Sequence, residues 1–281
     1  MTPLTQPLYR PLLRGAVGAV INLVTVLVLV FLLGPIVVVL IIAFSADAYL
    51  SFPPSGLSLR WFETFFQGDP SWMRAFWRSL SVALPTAILA VVLGTPAALA
   101  IARLRFKGRA ATEYLLLAPL LISPMITAIG LYGQFASLHI IGTTVALVLG
   151  HAVLALPFVV MNVAVSARSL DMRLEQAAMS LGARPRTVLR RITLPLLAPG
   201  MIAAAFFAFL VSFDEVIVSL FLSGLDPTLQ KRMWDDIRLE ISPTVAAASV
   251  VLIAITLLGF ALAALALRRG RRASRPHAAR G

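Results

Sequence analysis

Cysteine is absent from the 281 residues, which excludes disulfides, thiolate metal sites and cysteine nucleophiles together. Lysine is almost absent. Lys107 and Lys231 are the only two, and neither closes a G-x-x-x-x-G-K-[ST] phosphate loop, so any ATP this protein uses is bound by another chain. His139, His151 and His277 lie far apart and form no ligand spacing, so no metal site is expected. Charge is scarce as well: a soluble domain carries it on about a quarter of its residues, whereas here 13% are charged and 59% are hydrophobic. The missing polar surface implies lipid. A net charge of +12 raises nucleic acid as a partner, but binding it would take a polar fold carrying a basic face, and none is present.

What is there is long apolar runs. A helix crosses a hydrocarbon core of ~30 Å with about 20 residues, and runs of that length occur near 16–44, 79–102, 113–136, 143–166, 200–223 and 245–267. They are apolar all round, so continuous length rather than period 3.6 is the signal. An all-α protein with six transmembrane helices is the consequence. The first run, after Arg10 and Arg14, has a small-x-small triplet at Ala46-Asp47-Ala48 as a signal peptide would. Its apolar stretch exceeds the roughly 7–15 residues of a signal core, so it is expected to be retained. The organisation expected is a tail at 1–15, a membrane domain at 16–267 containing a cytoplasmic segment at 167–199, and a basic tail at 268–281. The largest hydrophilic pieces, 45–78 and 167–199, are too short to bury a core alone.

The basic residues sort by side. Arg10 and Arg14, the 103–109 loop, the 168–191 segment and the tail from Arg268 carry most of them; only Arg60, Arg74, Arg78, Lys231, Arg232 and Arg238 fall in the other segments. The positive-inside rule then puts both termini in the cytoplasm, with the surplus arginine at an anionic leaflet. Pro35, Pro85, Pro96, Pro119, Pro124 and Pro157 lie within runs and invite kinks. Gly94, Gly130, Gly133 and Gly150 read as close-packing positions, and His151 and Asn162 as hydrogen bonds to neighbouring helices.

Residues 171–195, DMRLEQAAMSLGARPRTVLRRITLP, change character. Asp171 is an N-cap candidate. Leu174, Ala177, Ala178 and Leu181 share a face at i, i+3, i+4 and i+7. Gly182 stops that helix, and Pro185 opens a second one that Pro195 and Pro199 are expected to break. An interfacial helix on lipid and an inert connector are the plain alternatives. Small residues favour a protein groove, since alanine permits close approach but anchors poorly in lipid.

Gln176-Ala177-Ala178, three residues, Gly182, nine residues, Ile192, one residue, Leu194-Pro195 resembles the cytoplasmic signature of binding-protein-dependent ABC importer permeases, EAA, x3, G, x9, I, x, LP. Gln176 stands where the family has glutamate, and Glu175 precedes it. Ser212-Phe213-Asp214-Glu215, Phe221-Leu222-Ser223-Gly224, Trp234, Ile237-Arg238 and Glu240-Ile241-Ser242-Pro243 look like the spermidine/putrescine permease branch. The resemblance implies a type I ABC importer permease fold and import of a small solute such as a polyamine. It implies as partners a second permease subunit, two copies of an ABC ATPase and a periplasmic solute-binding protein. ATP and magnesium would sit on that ATPase, this chain holding no cofactor and catalysing nothing itself. Glu175, Gln176, Ala177, Ala178, Gly182, Ile192, Leu194 and Pro195 become the ATPase-coupling residues.

Asp214 and Glu215 are the conspicuous acids of the fifth run, roughly 21–23 Å from its inner end at ~1.5 Å per residue. Intramembrane acids mark pathways or paired charges. For a cationic solute, Phe213 or Tyr132 would add cation–π attraction to the carboxylates. Adjacent helical residues diverge by about 100°, so a continuous helix would turn only one acid to a pore; pairing with a partner permease or a local arginine is the alternative. A channel or secondary transporter would share six kinked spans but leaves 171–195 without a role. An intramembrane enzyme lacks paired carboxylates or a nucleophile with a base at suggestive spacing.

Overall fold

The computed structural model describes residues 9–239 and 242–273, with side chains described for 17–239 and 242–261. The first eight residues of the expected 1–15 tail, the 268–281 tail beyond 273, and Glu240-Ile241 lie outside the described residues, and the side chains of Arg10, Arg14 and the C-terminal arginines are likewise undescribed.

All regular elements among the described residues are helical, apart from a single β-bridge between Ser45 and Leu57. The first apolar run is α1 (Tyr9–Ala43). It has almost no buried side chains and packs against the last helix, as expected of a helix whose surface is apolar all round and faces lipid. A short helix, α2 (Arg60–Glu63), runs into a π-helical turn at Thr64–Gly68.

The second span, α3 (Pro70–Arg103), begins about two turns before its apolar run. Asp69 caps it, accepting from Ser71 N at 2.8 Å, and Pro70 follows at the first helical position, where a missing N–H costs nothing. Pro85 and Pro96 lie inside this helix without ending it.

The third run is not one helix. α4 (Arg109–Leu121) and α5 (Pro124–Ser137) meet at 102°. Pro124 favours the break: Ser123 before it is extended (φ −55°, ψ 133°), the conformation a following proline prefers, and its hydroxyl accepts from Met125 N at 3.3 Å to start α5. Both halves contact α6 (Thr144–Arg168). Glu113 in α4 approaches Arg168 at 3.9 Å, and α5 leads within a few residues to Thr144.

The amphipathic segment forms α7 (Met172–Ser180), capped by Asp171 accepting from Arg173 N at 2.9 Å and stopped at Gly182 with φ +87°, where a side chain would be strained. Pro185 opens α8 (Pro185–Val188), as expected. Pro195 and Pro199 do not break the chain beyond it. A π-helical turn at Leu189–Thr193 leads directly into α9 (Leu194–Phe213), and Pro185–Phe213 is one helix. The wider turn, in which Leu194 N–H reaches back to Leu189 O, absorbs the bond and the room that Pro195 disrupts.

The fifth span ends at Phe213 rather than near 223. Residues 214–216 are non-helical and α10 (Ile217–Leu222) starts anew. An amphipathic helix, α11 (Leu229–Leu239), precedes α12 (Thr244–Ala273). The described spans therefore number five, or six with the bent pair as one.

α3, α6 and α9 form the centre, joined by Ala87, Ala90, Ala155, Val159, Ala204 and Ala208. Side chains this small let backbones approach closely. A Cβ on Gly94 would lie 2.7 Å from Val159 Cγ1, and one on Gly150 would lie 2.7 Å from Leu222 Cδ1, so both glycines are packing positions. At Gly130 and Gly133, on α5, nothing among the described residues lies within 4 Å of a Cβ. Gly200, not singled out in the sequence, is the tightest crossing, its Cβ position 2.1 Å from Ser166 Oγ.

Candidate functional site

Two polar constellations stand at opposite ends of α9. At the N-terminal end of α9, α7 projects clear of the bundle with no buried residue. Leu174, Ala177 and Leu181 are exposed on its outward face, Leu181 at 89%. Gln176 is exposed beside them, while Ala178 is half-covered. Glu175 points inward. Its Oε1 accepts from Arg103 at the end of α3 and from Thr193 Oγ1 at 2.6 Å, at the base of α9. Burial alone would raise the Glu175 carboxyl, but the Thr193 and Arg103 hydrogen bonds and the arginine charge outweigh it and hold the group below its ordinary range. Ile192 and Leu194 are half-buried in the helix that runs on into α9, and Pro195 is exposed.

At the C-terminal end of α9 the chain makes an elbow. α9 stops, Asp214 caps it, and Glu215 folds back so that Oε1 accepts from Val218 N at 3.0 Å, opening α10. Because the helix is broken, the 100° divergence of helical neighbours no longer applies, and both acids line one cavity of about 680 Å³ between α9, α11 and α12. Phe213 lines it too, stacked on Phe209 at 5.3 Å. Tyr132 does not; it packs edge-on against Phe221 at 6.4 Å, away from the acids. The cavity adds Gln230, Ser249 and Thr256, which the sequence reading missed. Ser249 and Thr256 stand seven apart on α12, a polar stripe along an apolar run that could have been noticed. Gln230 Nε2 reaches Asp214 Oδ1 at 3.5 Å, and among the described residues neither acid forms an ion pair with an arginine.

A buried histidine fixes the elbow from behind. His151 Nδ1 lies 2.9 Å from Ser212 Oγ before the break, and Nε2 lies 3.2 Å from Ser219 Oγ after it. Ser219 also donates to Glu215 O at 2.9 Å. A carbonyl can only accept, so the Ser219 proton is committed there and its oxygen must accept from His151 Nε2–H. Nδ1 of the neutral ring is then the acceptor, and Ser212 donates to it. The result is a one-way chain from Ser212 through His151 and Ser219 to the elbow backbone. His151 thus joins neighbouring helices as expected, whereas Asn162 does not: its Nδ2 donates to Phe158 O one turn back in its own helix.

The family described as binding-protein-dependent transport system inner membrane component matches residues 90–272. The spermidine/putrescine transport system permease protein PotC of Haemophilus influenzae is 30% identical over 237 residues, 84% of this chain and 91% of that protein. The putrescine transport system permease protein PotI of Escherichia coli is 31% identical over 239 residues, 82% of this chain and 84% of that one. Among solved structures, a bacterial ABC transporter involved in the import of the acidic polysaccharide alginate matches 96% of this chain and 100% of its own at a TM-score of 0.67 and 16% identity, a likeness of fold.

Proposed function

The chain belongs to the family of binding-protein-dependent transport system inner membrane components, and from that premise we propose that it imports a small polycationic amine of the putrescine or spermidine kind. It is a permease subunit of an ABC importer in the inner membrane, and the channel and secondary-transporter alternatives give way to that membership. Such permeases work with a periplasmic binding protein and an ATPase. In our reading the partners are a second permease chain and two ATPase copies, with ATP and magnesium bound on the latter.

The observation that carries the solute class is the elbow cavity. Two carboxylates free of ion pairs among the described residues, an amide and two hydroxyls face a wall that includes Leu210 and Leu252. Carboxylates replace the hydration an ammonium group loses on leaving water, and the apolar wall accepts the methylenes between its charges. An anionic solute would meet repulsion at Asp214 and Glu215. At the other end, the exposed apolar face of α7 suits an ATPase cleft. Closure of the ATPase pair on ATP then moves α7 and, through the continuous Pro185–Phe213 helix, the elbow. ATP drives this only because it binds the closed state more tightly.

The test uses proteoliposomes containing the full transporter and its cognate receptor. Receptor binding of labelled putrescine and spermidine is expected, with uptake falling roughly tenfold or more in Asp214→Asn or Glu215→Gln while receptor binding is unchanged. A receptor that binds no amine would overturn the solute class. Full uptake in both variants would overturn the cavity as the route.

A further inference from the structure

The family signature places its acid where this chain has Gln176, and the neighbouring Glu175 is occupied within the chain itself. Round the α7 helix, Glu175 sits roughly 100–160° from Leu174 and Ala177. Its side chain and that of Arg103 are 17% and 13% exposed, and Leu181 is 89% exposed. Thr193 adds a second bond from the base of α9. Gln176, in contrast, is exposed and makes no side-chain hydrogen bond among the described residues. The tie is also exclusive on the arginine side: Nε and Nη2 of Arg103 are buried without a partner, so Glu175 is the one group among the described residues holding that guanidinium.

We propose that Glu175 is a positioning residue, an internal strut fastening the coupling helix to the ends of α3 and α9, and that the ATPase is met instead by the uncharged face of Gln176, Ala177 and Leu181. The inference rests on the coupling function proposed for α7. One carboxylate joins three elements, so a push on α7 is delivered to two spans of the central trio rather than only to the helix it precedes. Without the strut, α7 would still dock but would swing about the 181–184 turn, and ATP turnover would continue with less of it reaching the pore. Glu175→Gln keeps the shape and one acceptor for Arg103 while removing the charge, so the arginine is weakened but not stranded.

The test compares variants in proteoliposomes containing both permease chains, the ATPase and the receptor, reading ATPase retained on the purified complex, receptor-stimulated hydrolysis, and solute imported per ATP. Glu175→Gln is expected to retain the ATPase and its hydrolysis while import per ATP falls roughly tenfold. Thr193→Val, which spares the ion pair, should lower the ratio about two- to threefold, and Glu175→Asp should hold an intermediate value. Leu181→Glu and Gln176→Trp should shed the ATPase. Loss of the ATPase from the Glu175→Gln complex, or an unchanged ratio in it, overturns the strut. Should Glu175→Gln fail to assemble, Thr193→Val decides: an unchanged ratio overturns the proposal. Retention of the ATPase by both Leu181→Glu and Gln176→Trp would instead overturn the coupling function of α7, a separate result.

Discussion

Replacing His151 with leucine removes two hydrogen bonds from the back of the elbow, and the direction of the chain it belongs to sets the size of the effect. The ring is 1% exposed and Ser219 and Ser212 are 0% and 4% exposed, so no water substitutes for it. Two stranded buried hydroxyls would cost about 1–3 kcal/mol each on top of the lost bonds. Neither is stranded outright. Ser219 keeps its own donation to Glu215 O, and Ser212 can turn to the carbonyl one turn back in α9. The expected loss is therefore that of two net hydrogen bonds, about 2 kcal/mol. His151→Gln, which reaches the Ser219 side but not both, should recover about half. Thermal unfolding of the purified permease pair in detergent measures this, and nitrogen-labelled histidine NMR reads the tautomer directly. A proton found on Nδ1 rather than Nε2 would refute the one-way order of donors, as would a loss well above about 4 kcal/mol, which needs hydroxyls with nowhere to turn.

Other consequences are more local. Ala177→Trp puts bulk on an exposed position of α7, so the permease should assemble normally while receptor-stimulated ATP hydrolysis disappears in reconstituted transporter. Gly200→Ala places a methyl 2.6 Å from Ser166 Cβ and should destabilise by about 1–3 kcal/mol in thermal melts, with Ser166→Gly restoring most of it. The Glu175 carboxyl lies below its ordinary range in the folded protein, so its contribution is fully present above the unfolded value and is lost only as pH falls through the lower, folded one. Import per ATP should consequently be flat between about pH 6 and 8, and a decline on mild acidification of the inner face would contradict the strut.

Asp171, Gly182 and Pro185 are readable in advance because capping, a left-handed stop and a first-turn proline are local chemistry, satisfied by neighbours in the chain. The break before Pro124 is half-legible: proline announces a disturbance, yet Pro85 and Pro96, of the same residue type, lie within one continuous helix. What separates them is whether surrounding helices supply an alternative for the freed groups, and that depends on packing. Pro195 shows the same dependence, its expected break absorbed by a π-helical turn.

The two acids show where local reading stops. Treated as consecutive residues of one helix, Asp214 and Glu215 diverge; in the folded chain the helix ends at Phe213 and they share a cavity. His151 bridges helices as its residue type and place suggest, but its partners, Ser212 and Ser219, lie 61 and 68 positions away, on two helices separated by the elbow. Glu175 likewise meets Arg103 72 residues distant.

Composition and run length determined by themselves that the chain is a membrane protein, and capping chemistry where the 171–195 helices lie, because hydrophobic transfer and capping act on residues near in sequence; that it is a permease rests on the likeness of the signature to the family. Tertiary structure alone decided which side of that helix is free, which acids meet, and how the fifth span ends. Those outcomes depend on side chains brought together over scores of residues, where burial decides whether a polar group is satisfied inside the chain or left for a partner.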